Sequence, residues 1–176
     1  MTPLIHCIYV SFFIQTIKLL VTFNTKNMID GVIIKPLRKI ADERGSIMHM
    51  LKVTDPEFKQ FGEIYFSTIY PGVVKGWHLH TEMTLNYAVV KGNVKVVLFD
   101  ARENSPTKGE LQVIFIGDKN YSLVTIPPGV WNGFKGVGVE EAIVANCTTH
   151  PHSPDEIKRM DPLSKEIAYN WDIKYE

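Results

Sequence analysis

Two histidines one residue apart, His78 and His80, are the residues of this sequence whose type and spacing most directly suggest chemistry. In an extended strand, residues i and i+2 point to the same face of the sheet, so the two imidazoles would share one side. Such a pair can exchange protons near neutral pH, bind a metal ion, or form a structural hydrogen-bonded pair. The spacing alone leaves all three possibilities open.

The surrounding residues resemble the metal-binding patterns of cupins, but two ligands are replaced. The residues that match the first pattern, G-x(5)-H-x-H-x(4)-E-x(6)-G, are Gly72, His78, His80 and Gly92. Leu85 stands where that pattern has Glu, and Asn132 stands where the second pattern, P-x-G-x(2)-H, has its His. Leucine cannot bind a metal and asparagine binds one poorly. We therefore expect no bound metal and no other cofactor.

Short runs of apolar, β-branched and aromatic residues follow one another after Met28. The runs are 32–34, 46–53, 63–70, 84–90, 93–99, 111–116, 121–127 and 141–148. Turn-forming stretches such as Pro71-Gly72 separate them, and no long amphipathic helix competes. A short C-terminal helix is predicted to start at Ser153, because Ser can cap a helix and Pro154 suits its first position. The pattern predicts an all-β sandwich or barrel, a class that includes the jelly roll.

The length and composition indicate one domain that binds a small molecule. The 176 residues divide into an apolar N-terminal extension, 1–27, and a domain, 28–176. The extension does not resemble a secretory signal, because Lys18 interrupts it and no basic residue precedes it. We expect it either to pack on the domain or on a partner subunit, or to be an artefact of start-site choice, with Met28 as the true start. Lys plus Arg and Asp plus Glu are 19 each, so no net charge favours nucleic acid or membrane lipid. Two cysteines provide no disulfide framework, and we expect a cytoplasmic protein.

Several motifs occur in the same order as in one enzyme family, from about residue 30 to residue 172. They are Ala41-Asp-Glu-Arg44-Gly45, Lys75-Gly76-Trp77-His78, Asp100-Ala-Arg-Glu-Asn-Ser105-Pro106-Thr107-Lys-Gly109, Ile126-Pro-Pro-Gly129-Val-Trp-Asn132-Gly133-Phe134, and Asp161-Pro162 with Ile167 and Trp171. The most specific is the third, which matches D-x-R-x-x-S-P-T-x-G. The chain thereby resembles the dTDP-4-dehydrorhamnose 3,5-epimerase family, the RmlC-like cupins. This resemblance implies a cupin jelly-roll barrel that binds a nucleotide-linked sugar without metal, and we expect a homodimer.

The resemblance places the family's catalytic base, which removes a proton next to a ketone, at His78. Other catalytic groups are missing from their usual places. The Lys that stabilises the enolate falls at Leu85, and the acid Tyr falls near Asn146. In the family, the Asp that orients the histidine lies in an L-S-x-K-D segment beyond the final I-x-W motif, and the residues from Trp171 to Glu176 contain no such segment. We therefore expect His78 to be the retained catalytic group, with His80 as a second candidate.

The resemblance also suggests which residues bind the substrate. The candidates are Arg44, Lys75, Glu63, Tyr65, His49 and Asn132. Arg44 and Lys75 would offer positive charge to a diphosphate, Arg44 with the two-pronged geometry that Lys lacks. Glu63 and Tyr65 stand where the family has Q-x-N, and His49 stands where it has a Glu.

Three functions remain open at this point. An epimerase acting in deoxysugar and cell-surface polysaccharide biosynthesis is favoured by His78 and by the Ser105-Pro-Thr stretch. A sugar 3,4-ketoisomerase is favoured by Gly76-Trp-His-Leu-His80, which looks like that group's G-x-H-x-H. A non-catalytic protein that binds sugar nucleotides is favoured by the missing Lys, Tyr and Asp.

Overall fold

The structure is a computed structural model that describes residues 28–172, so the predicted extension at 1–27 lies outside the described residues. Strands and turns make up this part of the chain, and no helix in it is long and apolar enough to cross a membrane. The strands are β1 (Ile33–Pro36), β2 (Lys39–Asp42), β3 (Gly45–Met48), β4 (Glu63–Ile69), β5 (Val74–His80), β6 (Leu85–Lys91), β7 (Asn93–Asp100), β8 (Leu111–Gly117), β9 (Ser122–Ile126), β10 (Val130–Val137), β11 (Ala142–Thr148) and β12 (Ile157–Arg159).

The strands form two five-stranded sheets and a separate hairpin. The first sheet has the order β1-β9-β6-β11-β4, the second has the order β12-β5-β10-β7-β8, and β2 pairs with β3. Neighbouring strands within the sheets are antiparallel. The predicted all-β jelly roll is confirmed.

The alternation of side chains along β7 shows where the two cores lie. Val96 belongs to a cluster formed with residues of both sheets, among them Leu85 of β6 and Val144 of β11. Val97, one residue further, packs with Trp77 and Trp171 on the outer face of the second sheet. Because successive strand residues face opposite sides, the second sheet is covered by the other sheet on one side and by the C-terminal segment on the other.

The predicted C-terminal helix is wrong. Residues 154–156 form a turn and Ile157 begins β12, which pairs with β5. The backbone N–H of Thr81 donates to the carbonyl of Glu156, and the Glu156 side chain also bonds to residues next to β5. The backbone and side chain of Glu156 therefore bond to the end of β5 and do not take part in a helix.

The most specific sequence motif builds a loop at the end of β7. The carboxylate of Asp100 is fully buried and accepts hydrogen bonds from Arg102, Ser105 and Thr107. Thr107 Oγ1 also accepts the N–H of Asp30, at 2.9 Å. None of these residues lines the cavity described below. The motif therefore holds the loop and the start of the described chain together.

Candidate active site

A cavity of about 420 Å³ lies between the two sheets, a size that suits a small molecule. Strands β4, β6 and β11 of the first sheet and β5, β10 and β12 of the second line it. Its polar lining residues are Glu63, Tyr65, Ser67, Lys75, His78, His80, Tyr87, Asn146, His152 and Arg159. The structure therefore brings both histidines to one cavity, together with Lys75, Glu63 and Tyr65 from the predicted substrate-binding set.

The geometry of β5 explains why both histidines face the cavity. His78 and His80 are two residues apart and line the cavity, whereas Trp77 between Gly76 and His78 is buried in the outer cluster. Strand β10 approaches β5 closely here, since a Cβ atom added to Gly76 would lie 3.0 Å from the Cα atom of Gly133. The two glycines thus allow the close pairing that holds the histidine strand in place.

His78 is suited to accept a proton. Burial lowers its pKa below the ordinary value of 6.5, and the positive charges of Arg159, His80 and Lys75 lower it further. Arg159 lies directly opposite His78 in the pairing of β12 with β5. A histidine with a lowered pKa is neutral at neutral pH, which is the form that a base requires.

His80 is held by a carboxylate that the sequence interpretation did not identify. Its Nδ1 atom lies 2.6 Å from Oε2 of Glu156. The other carboxylate oxygen accepts the N–H groups of Glu82 and Met83, at 3.0 and 2.8 Å. Burial opposes ionisation of Glu156, but the bonds from His80 and from these N–H groups keep its pKa below the ordinary value. The carboxylate therefore fixes the His80 ring, as carboxylates do for catalytic histidines.

The two positions that differ from metal-binding cupins have other roles in this structure. Leu85 is 1% exposed and belongs to the core between the sheets. Asn132 accepts the hydroxyl proton of Tyr87 at Oδ1 and donates from Nδ2 to the carbonyl of His78, both at 3.0 Å. Among residues 28–172 there is no group of three or more His, Cys, Asp or Glu placed to hold a metal ion. Asn132 acts on the site through Tyr87 and the His78 backbone.

Tyr65 reaches the cavity from the edge strand β4. Asn146, its cross-strand partner on β11, donates from Nδ2 to the Tyr65 hydroxyl at 2.8 Å. The Oδ1 atom of Asn146 accepts the backbone N–H of Asn86 at 3.1 Å. The position near which the family's acid tyrosine falls is therefore taken by an amide that contacts another tyrosine.

The cationic candidates are divided between the cavity and the separate β2–β3 hairpin. Lys75 lines the cavity, with its Nζ atom 3.0 Å from Ser67 Oγ and 2.6 Å from the carbonyl of Thr68. Arg44 lies in the exposed hairpin of β2 and β3, where it pairs with Asp42, and His49 lies just after β3. Neither Arg44 nor His49 lines the cavity of its own chain.

Arg159, Glu156 and Tyr87 are candidate functional residues that the sequence interpretation missed. Glu156 and Arg159 lie in the segment that was predicted to form a helix, and only its pairing with β5 brings them to the histidines. The apolar and polar alternation of Leu85, Asn86 and Tyr87 in β6 could have indicated which side of the strand Tyr87 faces.

The two facing sheets and the histidine-lined cavity define a cupin with a small-molecule site. The sequence model of the dTDP-4-dehydrorhamnose 3,5-epimerase family matches residues 26–176. The spore coat polysaccharide biosynthesis protein SpsL of Bacillus subtilis is 36% identical over 84% of this chain and 99% of its own length. This chain therefore belongs to the dTDP-4-dehydrorhamnose 3,5-epimerase family.

Solved structures agree with this assignment. A dTDP sugar isomerase from Desulfovibrio desulfuricans G20 is 44% identical with a TM-score of 0.80, over 81% of this chain and 92% of the other. The dTDP-6-deoxy-D-glucose-3,5-epimerase RmlC of Legionella pneumophila, in complex with dTDP-4-keto-L-rhamnose, is 25% identical with a TM-score of 0.75, over 84% of this chain and 81% of the other. Similarity to these proteins confirms the predicted deoxysugar-epimerase-like class.

Proposed function

We propose that this protein epimerises a dTDP-linked 4-keto-6-deoxyhexose, by removing and returning protons at carbons next to the ketone. The observation that carries the proposal is that His78, His80 and Arg159 line one cavity between the sheets. The similarity to SpsL and to the RmlC that was solved with a dTDP-linked keto-sugar supports this substrate class and a role in polysaccharide biosynthesis.

His78 acts as the base in this proposal. It takes the proton from the carbon next to the ketone, the electron pair of the C–H bond becomes the C=C bond of an enolate, and the carbonyl electron pair moves to oxygen. The lowered pKa of His78 keeps the ring neutral and able to accept that proton. His80, fixed by Glu156, lies beside it as a second proton-carrying group.

Arg159 stabilises the enolate oxygen. In the family a Lys has this role, but this chain has Leu85 at the corresponding position. Arg159 lines the cavity, and its charge lowers the pKa of His78. Lys75 is tied to Ser67 and Thr68 and provides a second cation for the diphosphate. A cation beside the reacting centre stabilises negative charge that develops in the transition state.

The functional form is a homodimer. Strand β4 is an edge strand of the first sheet, and its outward side chains Ile64 and Phe66 are 48% and 62% exposed. An unpaired edge with exposed apolar side chains favours association with another chain. In the dimer, Arg44 and His49 bind substrate in the partner's cavity, since they do not reach their own. We place this dimer in the cytoplasm, consistent with its lack of a disulfide framework.

A sugar 3,4-ketoisomerase is the second candidate. The observation that favours it is the fixed His80, because two histidines on one wall could move a proton between neighbouring carbons on the same face of the sugar. This reaction moves the ketone from C4 to C3 of the sugar and leaves the configuration at C5 unchanged.

Incubation of the protein with dTDP-4-keto-6-deoxyglucose in D₂O separates the candidates. Proton NMR that shows deuterium at C3 and C5 with inverted configuration supports the epimerase. A ketone at C3 supports the isomerase. Binding of unchanged substrate, seen by calorimetry without exchange, would leave a non-catalytic binding protein and exclude both enzymes.

A further inference from the structure

We propose that Tyr65 is the general acid of this active site, and that it returns a proton to the sugar from the cavity wall opposite His78. The assignment rests on the proposed function, because it names the residue that completes the epimerisation. It concerns a tyrosine on β4, whereas the family's acid tyrosine falls near Asn146 on β11.

The first argument is the direction of the hydrogen bonds that reach Tyr65. A backbone N–H can only donate, so the bond from the Asn86 N–H fixes the contacted Asn146 atom as Oδ1. The remaining amide group, Nδ2, must then donate to the Tyr65 oxygen, at 2.8 Å. Because the phenol oxygen is the acceptor of this bond, its own O–H proton is left to donate to a molecule in the cavity.

Tyr87 provides the contrast. Among the described residues, Tyr65 and Tyr87 are the two phenols that line the cavity. The Asn132 amide donates to the His78 carbonyl, so its Oδ1 must face Tyr87 and accept that phenol's proton. The Tyr87 proton is therefore engaged within the protein, whereas the Tyr65 proton is not.

The second argument is the position of Tyr65 relative to the base. Tyr65 lies on β4 of the first sheet and His78 lies on β5 of the second, and both line the cavity between them. Inversion at a carbon requires that one group removes a proton from one face and another group delivers a proton to the opposite face. Residues that line one cavity from two different sheets can provide this arrangement.

The third argument is the protonation state. Burial raises the pKa of Tyr65, and the bond from Asn146 offsets part of this increase. The phenol therefore carries its proton at neutral pH. When it gives this proton to the enolate carbon, the C=C electron pair forms the new C–H bond and the electron pair on the enolate oxygen re-forms the carbonyl. The phenolate oxygen of Tyr65 keeps the hydrogen bond from Asn146. Solvent then reprotonates Tyr65, and His78 releases its proton to solvent, so the enzyme returns to its initial state.

The Tyr65→Phe variant in D₂O tests the assignment, because exchange and inversion can be measured separately. Without an acid on the far wall, His78 can still remove a proton and return deuterium to the same face. We expect deuterium incorporation with retained configuration to persist. We expect the inverted product to form at least about 100-fold more slowly than in the wild type. The affinity for dTDP should be unchanged, and a thermal melt close to that of the wild type shows that the variant is folded.

Tyr70→Phe is the matched control, since Tyr70 is 68% exposed and does not line the cavity. It should invert the sugar at the wild-type rate. Inversion at the wild-type rate by Tyr65→Phe, or equal loss of exchange and inversion, would overturn the assignment while the proposed function stands. A wild-type protein that neither exchanges nor inverts would overturn the proposed function and this assignment together.

Discussion

The Nδ1 atom of His80 lies 2.6 Å from Oε2 of Glu156, and this contact joins strand β5 to the turn before β12. The same carboxylate accepts the N–H groups of Glu82 and Met83. The sequence motifs contain no counterpart of the family's Asp that orients the catalytic histidine. Glu156 provides a carboxylate beside the two histidines instead. It orients His80, and not the neighbouring His78.

Glu156→Gln is expected to lower kcat of the epimerisation by about 10- to 100-fold, because a neutral amide has only one acceptor oxygen and must turn its NH₂ group either toward His80 or toward the two N–H groups. The same change should cost about 1 to 3 kcal/mol of unfolding free energy. Steady-state kinetics and chemical denaturation measure the two effects. Glu82→Gln, whose side chain lies outside the cavity, is the control and should change neither. A folded Glu156→Gln protein with wild-type kcat would show that His80 needs no carboxylate.

Burial and the charge of Arg159 should together lower the pH at which the proposed reaction begins. The base must be neutral, and the pKa of His78 is lowered by burial and by Arg159, so activity should rise with pH through a midpoint below 6.5 and then level off. In Arg159→Gln this acidic limb of the kcat/KM profile should move to higher pH, and kcat should fall by about 100-fold or more. Lys158→Gln removes the neighbouring charge, which does not line the cavity, and should leave the profile in place. An unmoved limb in Arg159→Gln would refute the contact with His78.

Asp100 should contribute to stability and not to chemistry. The buried carboxylate is held by Arg102, Ser105 and Thr107, and these bonds keep its pKa well below its usual range despite burial. This stabilisation is present above the ordinary carboxylate pKa of 3.8 and is lost as the pH falls below it. Asp100→Asn should lower the unfolding free energy by about 3 to 5 kcal/mol at neutral pH. Denaturation with the exposed Glu103→Gln as control checks this, and equal stability of the two variants would contradict it.

Binding of the nucleotide should depend on cations from two places. Lys75→Ala and Arg44→Ala should each weaken dTDP binding by about 1 to 3 kcal/mol in calorimetry, as expected for charge-assisted bonds to phosphate. Lys158→Ala should bind dTDP as tightly as the wild type. Because Arg44 does not line the histidine-lined cavity of its own chain, its effect should appear only in the dimer. Light scattering can confirm the mass of the dimer. Unchanged affinity in Arg44→Ala would remove the hairpin from the binding site.

The sequence predicted the features that depend on local spacing. His78 and His80 share a face because strand side chains alternate, and β4, β6, β7, β8, β9 and β11 coincide closely with predicted runs. Strands β5 and β10 were not among the runs, because Lys75, Gly76, Asn132 and Gly133 interrupt their apolar pattern.

Features that depend on distant contacts could not be predicted. Ser153-Pro154 carries local signals for a helix, but hydrogen bonds from the β5 end to Glu156 outweigh them. Likewise, Arg44 lies in the turn between β2 and β3, and nothing in the local sequence shows whether this turn approaches the histidines. The contact of Asn146 with Tyr65 depends on the pairing of β11 with β4, which the motifs do not specify.

The most direct test of the account is solvent exchange by His78→Asn. Wild-type protein and the variant are incubated with dTDP-4-keto-6-deoxyglucose in D₂O, and deuterium at the carbons next to the ketone is followed by NMR. The account predicts that the wild type exchanges these protons, and that His150→Asn, a control outside the cavity, exchanges them equally. It predicts that His78→Asn does not exchange them but still binds dTDP. Full exchange by His78→Asn would contradict the assignment of the base, and with it the proposed mechanism.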